Sequence, residues 1–304
     1  MAGPLLKRRC ILGGAEEATA GTLETISAAL SGSTIYDAEM QIDDIHSGGK
    51  RSPDGLYLGH ADAAPGVRGC TLKFKQELRH GDAFVAMLTG AGFLLGGGVY
   101  KPTSSIGSRK TWSFALWEDG RRKRMRGAVG TCVIKAELGK PVMAEWEWKG
   151  IWNGVDDNAL PATSPINTIP YVATGLTFTV GGSELPMASN FEINFNNALE
   201  QREDLTDAAG LAHCYIGARG PMLSVDPEAA LVATHDAFGL LVAGTTGAVS
   251  IVLTCTAGTL TIGAPRAQRV KVQTGSRGAK ATDDIELQLN HSSGDDEISF
   301  TQSV

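Results

Sequence analysis

Six histidines could serve as bases or metal ligands, but His46, His60, His80, His213, His235 and His291 all stand singly. No pair has the HExxH or comparable spacing that a zinc site needs. His46 and His60 flank a loop that also holds Asp43, Asp44, Asp54 and Asp62, where imidazole and carboxylate together could hold a metal. Clusters of Asp, Gly and Ser are equally the ordinary composition of a turn-rich loop. No GxSxG elbow offers a nucleophile. Gly139-Lys140 is followed by Pro141 rather than Ser or Thr, and Gly96-Gly97-Gly98 lacks phosphate-binding spacing. Cys10, Cys70, Cys132, Cys214 and Cys255 are odd in number, widely spread and without a CxxC pair. They read as reduced, mostly buried thiols of a protein made in a cytoplasm. The expectation is no catalytic set, no cofactor and no metal: a chain that is not an enzyme.

Charge is the other candidate chemistry. Arg121-Arg122-Lys123-Arg124-Met125-Arg126 is a dense basic run after the turn Glu118-Asp119-Gly120. Three readings are open. It could contact phosphates, it could be the charged outer positions of a hairpin, or it could be a cationic edge docking on an acidic surface of another copy. The third fits best, because charge is split along the chain. Before Asn158 there are 20 basic and 18 acidic residues, and after it 7 and 15, giving −8 for the second half and −6 for the 304-residue whole. That mild acidity speaks against a dedicated nucleic-acid binder.

The elements that would position these charges read as strands. Hydrophobic residues are 42% and the 38 glycines follow no collagen period, so a cored, turn-rich, mainly β protein is expected. No apolar run approaches the ~20 residues of a membrane helix. Cys10-Ile11-Leu12, behind Lys7, Arg8 and Arg9, is too short for a signal-peptide core. Period-two alternation recurs in Trp112–Trp117, Glu145–Trp148, 249–261 and Val270–Val272. Asp226, with Pro227 and Glu228 behind it, predicts a helix whose face carries Leu231, Val232, His235, Phe238, Leu241 and Val242.

The breakers Asn153-Gly154, Asp156-Asp157-Asn158, Pro161 and Pro165 mark a linker over 151–168. The modules on either side, 1–158 and 159–304, look alike. Asp82-Ala83-Phe84 and Asp236-Ala237-Phe238 open similar short helices 154 positions apart. Hairpins turning at Gly139 and Gly294, 155 apart, follow them. Upstream, Tyr36–Ile42 and Tyr171–Phe178 lead into Leu72–Lys75 and Phe191–Phe195 at smaller offsets. A tandem duplication of a β-sandwich or barrel module, each copy with a short packed helix, is expected; two unrelated β halves sharing commonplace patterns are the alternative. Segments 42–67 and 93–108 read as arms. Phe93, Leu94, Leu95 and Tyr100 among glycines would pack on a neighbouring subunit rather than face water.

The run from Asp119 through Thr131, with Leu138-Gly139-Lys140-Pro141 and Glu145-Trp146-Glu147-Trp148-Lys149-Gly150, resembles the major tail tube protein of long-tailed, siphovirus-like bacteriophages. So do Phe195-Asn196-Asn197, Gln201-Arg202, Ala218-Arg219-Gly220-Pro221, Asp226-Pro227-Glu228, 264–268 and 294–297. The resemblance covers most of the chain beyond residue 35 and transfers no active site. It implies a virion protein, assembled in the host bacterial cytoplasm, whose inner strands join a barrel around a channel. It implies rings stacked into a tail tube through which double-stranded DNA passes during ejection. Tape-measure, tail terminator and distal tail proteins would be its partners, with no membrane. A duplicated chain would close a trimeric ring of pseudo-sixfold symmetry; a hexameric ring is the alternative. Arg121, Arg122, Lys123, Arg124 and Arg126, with the 93–108 apolar residues, would make subunit contacts. Asp37, Glu39, Glu192 and Glu286 would line an acidic channel that DNA passes without sticking. A capsid-decorating or carbohydrate-binding β-sandwich is the rival.

Overall fold

Alternating sequence becomes strand throughout: 55% of the chain is strand and 6% helix. The computed structural model describes residues 5–6, 9–26, 30, 33–43, 45, 65–163, 167–185 and 187–303. The first half holds β1 (Cys10–Glu16), β2 (Ile35–Ile42), β3 (Gly69–Glu77) and the helix α1 (Phe84–Met87), which runs into a 3-10 turn (Leu88–Ala91). The hairpin β4 (Phe93–Gly96) and β5 (Val99–Pro102) follows, then β6 (Trp112–Glu118), β7 (Arg121–Glu137) and β8 (Met143–Asp157). The second half opens with β9 (Thr177–Val180), β10 (Ser183–Glu184), β11 (Asn190–Asn194) and the pair β12 (Ala198–Glu203) and β13 (Leu211–Ala218). It continues with β14 (Met222–Val225), α2 (Ala237–Val242), β15 (Thr246–Cys255), β16 (Gly258–Arg277), β17 (Lys280–Asn290) and β18 (Ser299–Ser303).

All but β12 and β13 belong to one antiparallel, unclosed sheet of 16 strands. Its spine runs β2-β3-β8-β7 and then, without a break, β11-β14-β17-β16. Each run of four takes its strands in the order first, second, fourth, third. The strands β7 and β16, 17 and 20 residues long, each serve two sets of neighbours. The leading half of β7 pairs with β6, and its last five residues pair with β11. The leading half of β16 pairs with β15 and β18, and its remainder with β17.

Aromatic packing folds this sheet over itself. Phe114 of β6 meets Trp148 of β8 at a centroid distance of 4.7 Å, and Phe178 of β9 meets Phe191 of β11 at 5.7 Å. Between the halves, Phe93 packs 5.3 Å from Phe195 and 5.5 Å from Phe300. Trp148 needs glycine beneath it: a Cβ at Gly90 would lie 2.5 Å from its ring.

Several sequence expectations change here. Segment 151–157 is strand, because β7 pairs with it as far as Asp157. Within 171–178 only the end is strand, in β9. By place in the spine, β11 takes the position of β2 and β14 that of β3, whereas the sequence likeness sets Tyr171–Phe178 beside β2 and Phe191–Phe195 beside β3. The expected hairpin around Gly294 does not form: β17 and β18 lie end to end along the same neighbour, β16. The helix expected from Asp226 is confined to Ala237–Val242. Residues 226–229 are held extended instead, with Asp283 N–H donating to Pro227 O at 3.0 Å and Ala229 N–H to Ala281 O at 2.9 Å. Asp226 accepts from the Ser189 and Asn190 N–H groups and pairs with Arg277. Leu231 and Val232 are consequently exposed.

The segment 93–108 is not a free arm. Its hairpin docks on β18 through Tyr100↔Phe300, and Phe93 is buried against Phe195 and Phe300, so it is unavailable to another subunit. Of the 42–67 arm, residues 44 and 46–64 lie outside the described residues, and the His46/His60 cluster lies with them.

A buried carboxylate caps this core. Asp82 accepts from Arg79 N–H at 2.9 Å, Phe84 N–H at 3.0 Å and Gln76 Nε2 at 3.1 Å. Burial outweighs these donors and pushes its pKa up to about 6. An unfolded carboxyl loses its proton near 4, so between those values the folded chain binds more protons. Stability therefore falls as pH rises from about 4 to 6, by roughly 3 kcal/mol at most. Asp82→Asn should flatten that slope in denaturant titrations at pH 4, 5 and 6.5; an unchanged slope would contradict the assignment.

Candidate assembly surface

One face of the spine is polar, as alternation on a sheet with one buried face requires, except where β13 packs on Val129 and Ile151 through Cys214, Ile216 and Leu211. Residues opposed in register share a face. One row runs Glu39–Lys73–Glu147–Thr131. Another, entered through Lys135 on the same strand as Thr131, runs Lys135–Glu192–Ser224–Glu286–Lys271. Glu39, Glu192 and Glu286, from three separate strands, thus share this face. Asp37 joins them at a bulge with φ 52°, its carboxylate 3.8 Å from Lys75.

The face is less acidic than those four residues imply. Lys73 pairs with Glu147 at 2.9 Å, Lys135 with Glu145 at 2.7 Å, and Lys271 with Glu286 at 2.6 Å. Such exposed pairs contribute only ~0.2–1 kcal/mol each, but they decide the local charge. With Glu145 and Glu147 added, carboxylates still outnumber the ammonium groups of Lys73, Lys75, Lys135 and Lys271. Sequence reasoning passed over these interleaved residues. Lys73-Phe74-Lys75 and Glu145-Trp146-Glu147 carried the signal in their alternation.

The basic run lies elsewhere and is largely neutralised within the chain. Arg121 and Lys123 pair with Glu118, Arg122 with Asp156, and Arg126 with Asp207 at 2.7 Å. Arg122 also lies over the Trp117 ring, and it holds the Asp156 carboxyl below the usual range. Arg124 approaches Asp156 at 3.8 Å. This is the hairpin reading, with charged outer positions, rather than a free cationic edge. Leu95 is exposed, while Leu94 and Tyr100 are half-buried on the β4–β5 hairpin. Cys70, Cys132 and Cys214 are buried and Cys10 and Cys255 half-buried; burial pushes the Cys70 and Cys214 thiols up to about 12.

The spine ends in two open edges. Among the described residues, β2 pairs only with β3, and β16 beyond Gln268 pairs only with β17. The first edge carries Asp37 and Glu39, the second Lys271 and Arg277. Comparison with protein-family models finds no match, and comparison with curated proteins finds none. The surface must speak for itself.

It contains its own template for joining. Where the two spine halves meet, Asn190, the first residue of β11, opposes Glu137, the last of β7, and the pairing runs to Asn194↔Val133. Beyond the strand, Phe195 N–H donates to Cys132 O at 3.0 Å. The Asn197 amide donates to Gly130 O at 2.9 Å and Ala91 O at 3.0 Å. Segment 195–197 thereby fills the fork where β7 leaves β6. The open end of β16 and the open edge of β2 are the counterparts of these two strands in the spine order.

Proposed function

We propose that this chain is a tail tube protein. Three copies join head to tail, the β16 edge of one to the β2 edge of the next, closing a ring of six four-strand units around a channel. The rings stack into the conduit for double-stranded DNA in a virion tail. The observation that carries this reading is the twice-used strand order ending in two open edges, with the joint between the units already made once inside the chain. Open edges are an aggregation hazard that proteins cover or pair, and a heterologous contact that closes gives a ring. The polar face would line the channel, where its carboxylate excess repels phosphate and its interleaved lysines keep the repulsion moderate.

Negative-stain microscopy of the purified protein, with rotational symmetry counted, tests this. Stacked rings with three large or six pseudo-equivalent subunits' worth of mass from three chains are expected. Six chains per ring would replace the trimer, and a monodisperse monomer at all concentrations would overturn the proposal in favour of a surface-binding sandwich.

A further inference from the structure

The two short helices are alike in sequence and unlike in burial. Asp82-Ala83-Phe84 opens α1 and Asp236-Ala237-Phe238 opens α2, 154 positions later. Both lie on the core side of the spine, α1 with its 3-10 turn against β7 and α2 against β16. Phe84 is 1% exposed and Met87 fully buried, whereas Phe238, in the place of Phe84, is 48% exposed. Val242 and, ahead of α2, Leu231 and Val232 are exposed as well. Apolar side chains gathered in this way on one surface mark a contact site.

The cover over α1 comes in large part from across the joint inside the chain. Phe300 meets Phe84 at 5.8 Å. The segment after β11 reaches over β7, where Phe195 packs on Phe93 and the Asn197 amide donates to Ala91 O, at the end of the α1 turn. The end of α2 receives the Gln268 amide, 3.3 Å from Gly244 O and from its own half of the chain. The adjoining fork of β16 also holds unmet polar atoms. Arg269, core-facing opposite Leu287, is 7% exposed, and neither its Nε nor His235 Nε2 has a partner among the described residues.

At the other end of the spine, β2 holds the counterpart of Phe195. In β11, Ile193 is buried opposite Leu223, and Phe195, two residues on, extends into the neighbouring unit. In β2, Met40 is buried opposite Leu72, and Ile42, two residues on and on the same core side, opposes the fully buried Cys70. Yet Ile42 itself is 40% exposed. One edge of the chain thus presents an apolar side chain without a seat, and the other an apolar seat without an occupant.

Resting on the ring reading, we infer that α2 and the segment before it form a docking face for a second copy of this chain, whose Ile42 is seated there as Phe195 is beside α1. The face flanks the very edge that the incoming β2 extends, so ladder and apolar contact are made together. That continuity favours a second copy over an unrelated protein. Assembly then buries the two apolar surfaces that the single chain leaves open at its ends.

The test measures ring formation against protein concentration for the full chain, Phe238→Gln, Ile42→Gln and the double variant, with thermal unfolding of each unassembled chain. Both residues are exposed before assembly, so each single change should leave the unassembled chain within about 3 °C of the parent. Each should raise the concentration needed for rings by about tenfold or more, and the double variant should fall short of the product of the two effects. Hydrogen exchange at the α2 amides should slow when the parent assembles. Unchanged assembly of either variant, effects that multiply in full, or α2 exchange unaltered in rings would overturn the docking while leaving the ring intact. A marked fall in the melting temperature of unassembled Phe238→Gln would make Phe238 a core residue and overturn it too. Absence of rings from the parent chain would overturn the ring reading, and this inference with it.

Discussion

Asp37→Lys combined with Glu39→Lys should leave the chain folded and abolish ring formation. Both side chains are exposed on the open β2 edge, and Glu39 has only Gln41, on its own strand, as a hydrogen-bond partner at 2.8 Å. Replacing them removes the exposed approach of Asp37 to Lys75 and sets a lysine opposite Lys73, at a cost of about 1–2 kcal/mol that leaves the buried side of β2 in place. In the proposed joint this edge meets the one that carries Lys271 and Arg277. Like charges across a strand pair destabilise it. Turning two attractions into repulsions costs about 2 kcal/mol per joint, roughly 30-fold in its association constant. A trimer makes three such joints, so closure is lost at concentrations where the parent assembles. Analytical ultracentrifugation with circular dichroism reads both halves of the statement. Rings of undiminished stability would show that β2 is not a joint strand. Restoration by adding Lys271→Glu to the same chain would locate the partner edge.

Phe195→Ala should destabilise the unassembled chain by about 3–5 kcal/mol, the usual cost of emptying a buried aromatic site. Phe195 is 2% exposed and touches Phe93, Trp146 and Phe300, so β4, β8 and β18 lose contact with it at once. These neighbours are aromatic rings held by strands on several sides, which collapse poorly around a cavity. Because Phe195 sits at the junction of β7 and β11, its loss also loosens the joint between the spine halves. Urea titration should show the drop in midpoint. A change below 1 kcal/mol would mean that the junction rests on its backbone pairing alone.

The two results separate two kinds of contact in the same sheet. The junction inside the chain combines ladder hydrogen bonds with an aromatic plug and a bound amide. The open edges carry unpaired backbone groups and charges of opposite sign. A covalently linked joint can rely on apolar burial. A joint between separate chains must also select its partner, and charge does so at little cost in solubility.

Strand content and the polar-outward alternation were legible in the residues themselves, because period two follows from backbone geometry and needs no partner to be seen. The short helices at Phe84 and Ala237 were legible for a similar reason: local apolar spacing, with an Asp cap at the second, followed by a glycine-containing stop. Local signals failed where distant backbone competed for the same atoms. Asp226, Pro227 and Glu228 read as a helix start, but β17 offered their backbone hydrogen bonds and Arg277 offered a charge. The glycine turn at 294 read as a hairpin, but β16 was long enough to take both β17 and β18 on one side. Arg121–Arg126 read as a free cationic edge, yet Glu118, Asp156 and Asp207 come to them from turns and strands up to 81 residues away. The sequence by itself determined which side chains alternate and how much charge each half carries. Only the tertiary structure decided which strands lie side by side, and therefore which edges stay open, because pairing depends on chain segments that no local pattern brings together.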